Sequence, residues 1–188
     1  MIQPWKKVVS TRAADLRIFK ARWDRKVSPR TGEEHEFVVL ESLDWVNVIA
    51  VTPAQELVMV EQYRHGSDTV ELEIPGGLLN HPSESPLEAA TRELREETGY
   101  EGRDAIRISE QLPNPAFLNN RCHTVLVQEC VQRHPLDWDH GEDLEIRLVP
   151  VSEVPRLIVS GVIRHSMIIA ALYAFDLWRR QQEHAPEG

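Results

Sequence analysis

The stretch from Ser85 to Gly99 limits the fold more than any other part of this chain, because it carries both ends of a helix and an unusual charge pattern between them. Ser85 is placed to cap the N-terminus, Pro86 suits the first helical position, and Glu88 completes a Ser-x-x-Glu capping box. Gly99 supplies the C-terminal stop. Between these signals Leu87, Ala90 and Leu94 recur at i, i+3 and i+7 and predict a buried stripe. Glu93, Glu96 and Glu97 stand three and four residues apart, so they share one face. At about 100° per residue that face borders the apolar stripe instead of opposing it. The carboxylates therefore look toward the edge of a sheet. Glu84 lies just ahead of the helix, and Arg92 pairs with Glu96 at i+4 while Arg95 points elsewhere. One arginine cannot neutralise four acids. Oxygen ligands at this density suit Mg²⁺ or Mn²⁺, ions that commonly hold substrate phosphates as well. On spacing alone, a solvated acidic helix is the competing reading.

Around this helix the chain reads as strands. Short β-rich pieces at 16–21 and 36–40 flank a turn cluster at 28–32. Two apolar runs, 46–51 and 57–63, are split by 52–56 and predict a hairpin. Residues 70–74 alternate apolar and acidic and stop at Pro75-Gly76-Gly77. An irregular loop rich in proline and asparagine covers 113–121, followed by strands at 123–130 and 144–149. A polar loop with five acidic residues between 137 and 145 separates those two strands. Helices are expected at 153–159 and 166–182, the second with Met167, Ile168, Ala171, Leu172, Phe175 and Trp178 at core spacing. Residues 184–188 read as a tail. The sum is an α+β chain with a mixed sheet covered by helices.

At 188 residues the chain can bury one core well. Its formal net charge of −9 disfavours nucleic acid, which feeds on a basic footprint, but leaves polyanionic substrates open because a divalent ion can reverse the local sign. The longest apolar run, 167–175, falls far short of the ~20 residues of a membrane span, and the N-terminus has no apolar signal segment. A soluble, cytoplasmic protein without membrane partners is expected. Cys122 and Cys130 read as small buried side chains of a strand.

Gly77, Glu84 and the run Arg92-Glu93-Leu94-Arg95-Glu96-Glu97-Thr98-Gly99-Tyr100 closely resemble the Nudix box, Gly-x5-Glu-x7-Arg-Glu-(aliphatic)-x-Glu-Glu-x-Gly-(apolar). Every defined position from Glu84 onward matches. Six residues instead of five separate Gly77 from Glu84, and the extra one falls in the turn Asn80-His81-Pro82-Ser83. The resemblance spans roughly 44–175. Gln62-Tyr63-Arg64-His65-Gly66 and Glu71-Leu72-Glu73-Ile74-Pro75-Gly76-Gly77 look like the lead into the box in the ADP-ribose pyrophosphatase branch. Pro115, fifteen residues past Tyr100, and the endings at 142–146 and 160–165 are similar to the same branch. Residues 1–43 match only in position and β-rich character.

The resemblance implies a Nudix-type α/β/α sandwich with a mixed sheet (44–183), preceded by a small N-terminal antiparallel β subdomain (1–43) that helps build a homodimer. It implies Glu93 and Glu97 as the principal ligands of Mg²⁺ or Mn²⁺, with Glu96 assisting in catalysis or holding a further ion. The carbonyl of Gly76 or Gly77 completes the set, and Glu84 and Arg92 brace the ligands. A general base is expected from the loop before the last strand, with Glu142 ahead of Asp143 and Asp139. Arg64 suits a phosphate or a ribose, or is a plain surface charge at a strand end. Glu73 suits a ribose hydroxyl or a metal-bound water, or faces solvent. Asn114, Phe117 and Asn120 suit the lining of a substrate pocket. His123 and His165 read as structural. The expected activity is hydrolysis of a nucleoside diphosphate linked to another moiety, ADP-ribose foremost. Nucleotide sugars and dinucleoside polyphosphates are the alternative substrates, and a non-catalytic nucleotide sensor is the alternative class.

Overall fold

The computed structural model describes residues 1–138 and 143–183. The chain divides into two compact units, Met1–Asp44 with Leu112–Arg121, and Trp45–Gln111 with the residues from Cys122 onward.

In the first unit β1 (Lys6–Asp15), β2 (Lys20–Val27) and β3 (Glu34–Glu41) form an antiparallel sheet in that order. The turn expected at 28–32 is present, with the Gly32 N–H donating to the Ser28 carbonyl at 2.9 Å. The β piece expected at 16–21 is instead mostly a reversal. Leu16 N–H donates to the Phe19 carbonyl at 2.7 Å and Arg17 adopts φ 68°, which turns β1 into β2. A few apolar residues in a row fit a tight turn as well as a strand. Asp24 is buried and held by the Arg22 guanidinium at 2.8 Å and the Ser10 hydroxyl at 2.6 Å. Its hydrogen bond from Arg22 outweighs burial and draws its pKa down to about 2. The loop at 112–121 joins this unit through Leu40 N–H, which donates to the Phe117 carbonyl at 2.8 Å.

The second unit holds β4 (Trp45–Ala50), β5 (Glu56–Arg64), β6 (Thr69–Glu73), β7 (Gly76–Leu78), α1 (Pro86–Thr98), β8 (Tyr100–Gln111), β9 (Cys122–Gln132), β10 (Leu144–Pro150), α2 (Val154–Val159) and α3 (Ser166–Glu183). One sheet runs β7-β4-β9-β8 and is mixed, with β4 and β9 parallel. The other runs β10-β5-β6 and is antiparallel. Strand alternation sends side chains to two cores. Val46, Val48, Ala50, Val58, Val125 and Val127 pack with Ala89, Ala90 and Leu94 of α1. Ile49, Val51, Leu57, Met59 and Leu126 pack with Ile168, Ala171, Leu172 and Phe175 of α3. The fold is thus an α/β/α sandwich of the α+β class.

Two expectations need correction here. The runs 46–51 and 57–63 do not pair as a hairpin. They share one bridge, Val51 to Leu57, beside a turn in which Gln55 N–H donates to the Thr52 carbonyl, and then enter different sheets. Both runs are apolar on both faces, as central strands are, and such runs do not choose their neighbours by sequence adjacency. On α1 the buried stripe is Ala89, Ala90 and Leu94, while Leu87 is 39% exposed in the first turn. The loop expected at 113–121 is present, and residues 100–111, which the sequence assigned to no element, form β8. Both cysteines are buried thiols, and burial pushes the Cys130 thiol up to about 12, which leaves it inert. No helix among the described residues is long and apolar enough to cross a membrane.

Candidate active site

α1 begins and ends as its sequence requires. Ser85 Oγ accepts from Glu88 N–H at 3.2 Å, and the Glu88 side chain accepts from Ser85 N–H at 2.9 Å, closing the capping box. Gly99 ends the helix in the left-handed conformation, φ 71°. With both ends fixed, the acidic face meets β7. Glu97, 4% exposed, accepts the Gly76 N–H at 3.1 Å. A Cβ at Gly77 would sit 2.6 Å from the Glu93 carboxylate carbon, so only glycine lets that carboxylate lie against the backbone. At Gly76 a Cβ would run into the Val46 carbonyl of β4. Two glycines at the mouth of a short strand thus make the bed in which two helical glutamates rest.

Arg92 organises the acids. Its Nε donates to Glu84 Oε1 at 3.0 Å, and its Nη1 to Glu93 Oε1 at 2.9 Å and Glu96 Oε2 at 3.0 Å. Its Nη2 donates to the Leu78 carbonyl at 3.0 Å. Burial opposes the charge of Arg92, but these carboxylates outweigh it and raise its pKa further. The hydrogen bond from Arg92 holds the Glu84 carboxyl below the usual range, helped by the Asn80 N–H. Among the described residues no three His, Cys, Asp or Glu side chains already converge as a ready cage for an ion. Three carboxylates share the Arg92 guanidinium, and Glu97 lies beside them. This oxygen-rich set, with surplus negative charge and a glycine bed too tight for any Cβ, fits a hard divalent cation.

A second charged cluster sits on β6, the strand that leads into Gly76. Glu73 is 1% exposed and not solvent-facing. It accepts from Arg64 Nε at 2.8 Å and Nη2 at 2.6 Å, and meets His165 Nδ1 at 3.1 Å. Two residues earlier, buried Glu71 is gripped by Arg164. Burial pushes the Glu73 carboxyl up, but its hydrogen bonds with Arg64 and His165 win and bring it to about 2. A carboxylate lowered on folding stabilises the native state above its ordinary pKa of 4.5, and that gain is lost as pH falls toward 2. For so buried a group it amounts to about 3 kcal/mol. Acid unfolding followed by circular dichroism should therefore show stability falling below pH 4.5, and Glu73→Gln should flatten that limb while lowering stability at neutral pH.

Of the remaining expected site residues, Asn114, Phe117 and Asn120 belong to the first unit. Asn114 Oδ1 accepts from Ala116 N–H at 3.3 Å, shaping the loop, and Phe117 is exposed. Asn120 is buried and donates to the Leu43 carbonyl at 3.2 Å. Glu142 and Asp139 lie outside the described residues; Asp143 is exposed. His165 serves Glu73, and His123 is buried on β9. The sequence reading did not foresee Trp138, whose indole N–H donates to the Glu97 carbonyl at 2.9 Å. Nothing local to Trp138 announces a contact forty-one residues away in the chain.

Comparison with known proteins gives the same reading. Residues 43–171 match the NUDIX domain, so the chain belongs to the Nudix hydrolase family. Within that family it falls in the ADP-ribose pyrophosphatase branch. The chain is 33% identical over 116 residues to the ADP-ribose pyrophosphatase of Bacillus subtilis (strain 168), covering 61% of this chain and 62% of that protein. It is 30% identical over 158 residues to the ADP-ribose pyrophosphatase of Mycobacterium tuberculosis, covering 84% and 76%. A crystal structure of an ADP compounds hydrolase shares the fold, with a TM-score of 0.84 at 21% identity over 97% of each chain.

Proposed function

We propose that this chain hydrolyses the pyrophosphate bond of a nucleoside diphosphate joined to another moiety. ADP-ribose is the leading substrate, with AMP and ribose 5-phosphate as products. The observation that carries this reading is the seating of Glu93, half-buried, and Glu97, buried, against the Gly76–Gly77 backbone. Glu93, Glu97 and the Gly76 carbonyl would hold Mg²⁺ or Mn²⁺, with Glu96 assisting. When bound, such an ion neutralises pyrophosphate charge and makes water a better nucleophile. Arg92 and Glu84 keep the ligands apart and aimed. Arg64, clamped by Glu73 along one edge and 43% exposed, presents its outer side to a phosphate or ribose. Glu142 takes the proton of the attacking water.

A hydrolysis panel with Mg²⁺ tests this reading. ADP-ribose should turn over best, ahead of nucleotide sugars, dinucleoside polyphosphates and nucleoside triphosphates. A nucleotide sugar or dinucleoside polyphosphate as best substrate would keep the chemistry and change the specificity. Binding without turnover of any would make the chain a sensor.

The N-terminal sheet, residues 1–43, is proposed as a dimerisation element. Trp23 and Val38 are register partners on one face and are 47% and 41% exposed. Large paired apolar groups in water favour a partner surface. Light scattering should give twice the 21.6 kDa chain mass, and a monomer at micromolar concentration overturns this assignment. Two buried thiols support a reducing, cytoplasmic setting.

A further inference from the structure

The C-terminal end of α1 is closed in an unusual way. A helix leaves its last four carbonyls without intrahelical partners. Here they are Arg95, Glu96, Glu97 and Thr98. Gly99 N–H donates to the Arg95 carbonyl at 2.8 Å, as a left-handed stop allows. The other three are met from one distant segment, the last residue of β9 and the residues that follow it. Asp137 N–H donates to the Glu96 carbonyl at 3.0 Å, Trp138 Nε1–H to Glu97 at 2.9 Å, and Gln132 Nε2–H to Thr98 at 3.3 Å. Arg133 and His134 N–H groups add a clasp on the Gly99 carbonyl at 2.9 and 3.0 Å.

Glu97 is therefore held at both ends. Its carboxylate receives the Gly76 N–H at 3.1 Å, and its carbonyl receives the Trp138 indole. Glu93 is one turn further in, where the helix's own bonds suffice. We infer that Trp138 is a positioning residue for Glu97, setting the last turn of α1 so that the carboxylate stays in the Gly76 bed, and that it thereby sets divalent-metal affinity. This rests on the reading of Glu93 and Glu97 as metal ligands. Without the indole donor the last turn frays, as helix ends do, and the frayed residue is the one carrying a ligand. The Thr98 cap differs in kind, since Thr98 points its hydroxyl back to the Leu94 carbonyl and holds no ligand.

Mn²⁺ binding to the intact protein, followed by electron paramagnetic resonance, separates positioning from mere stability. Trp138→Phe keeps an aromatic ring, though a smaller one, and removes the donor; Gln132→Leu removes the neighbouring cap. Both should lower Tm by a few degrees. Only Trp138→Phe should weaken Mn²⁺ binding, by roughly tenfold, the lower end for groups that orient metal ligands. Equal Mn²⁺ affinity in wild type and Trp138→Phe overturns the inference, as does equal weakening in both variants. Wild type that binds no Mn²⁺ overturns the ligand reading beneath it. In case Trp138→Phe fails to fold, the wild type carries a second test. The Trp138 indole N–H resonance, assigned through the backbone, should shift on Mg²⁺ addition, and an unmoved resonance under saturating Mg²⁺ overturns the inference.

Discussion

Glu97→Gln should lower turnover by about 10³-fold at saturating Mg²⁺, a loss of about 4 kcal/mol of transition-state stabilisation. The substitution is close to isosteric, and the glutamine oxygen can still accept the Gly76 N–H that ties α1 to β7. Fold and helix position are therefore preserved, and the charge is what is removed. The loss should appear in kcat, and excess chelator should abolish wild-type activity. Near-normal turnover in the variant would remove Glu97 from the site. Full activity in chelator would remove the metal requirement altogether.

The helix and its acids were legible in the sequence because their determinants are local. Capping by Ser85 and Glu88, the stop at Gly99 and the shared face of Glu93, Glu96 and Glu97 all lie within fifteen residues, inside the reach of side-chain to backbone geometry. What depended on distant partners was not legible. β4 and β5 carry apolar residues on both faces, and only the presence of β9, seventy-odd residues on, draws β4 into a parallel pair. β8 went unseen because it is an edge strand of the mixed sheet, with charged residues outward and bulges that break its alternation. Glu73 alternates as a solvent-facing residue would, yet Arg64 and His165 bury it as an ion pair. Period-2 patterning assigns a face, and cannot say whether that face holds water or a guanidinium.

The base proposed at Glu142, in the segment between β9 and β10, carries the second large expected effect. The loop leaves the sandwich at Trp138, fixed on the Glu97 carbonyl, and returns at Leu144, register partner of Gln62 on β5. Its two ends are therefore anchored on the helix of the proposed ligands and on the strand that ends in Arg64. The sequence between them carries Asp139, Glu142 and Asp143 with Gly141. A base on such a segment acts as the water attacks and adds little to ground-state binding. Glu142→Gln should lower kcat by roughly 10²- to 10⁴-fold while KM stays within a few-fold. Mn²⁺ affinity should stay near wild type, because Glu93 and Glu97 remain on α1. If Glu142→Gln keeps its kcat while Asp139→Asn or Asp143→Asn loses it, the base stands elsewhere on the same loop. If all three variants turn over normally, the loop supplies no base, and the proton of the attacking water leaves by another route.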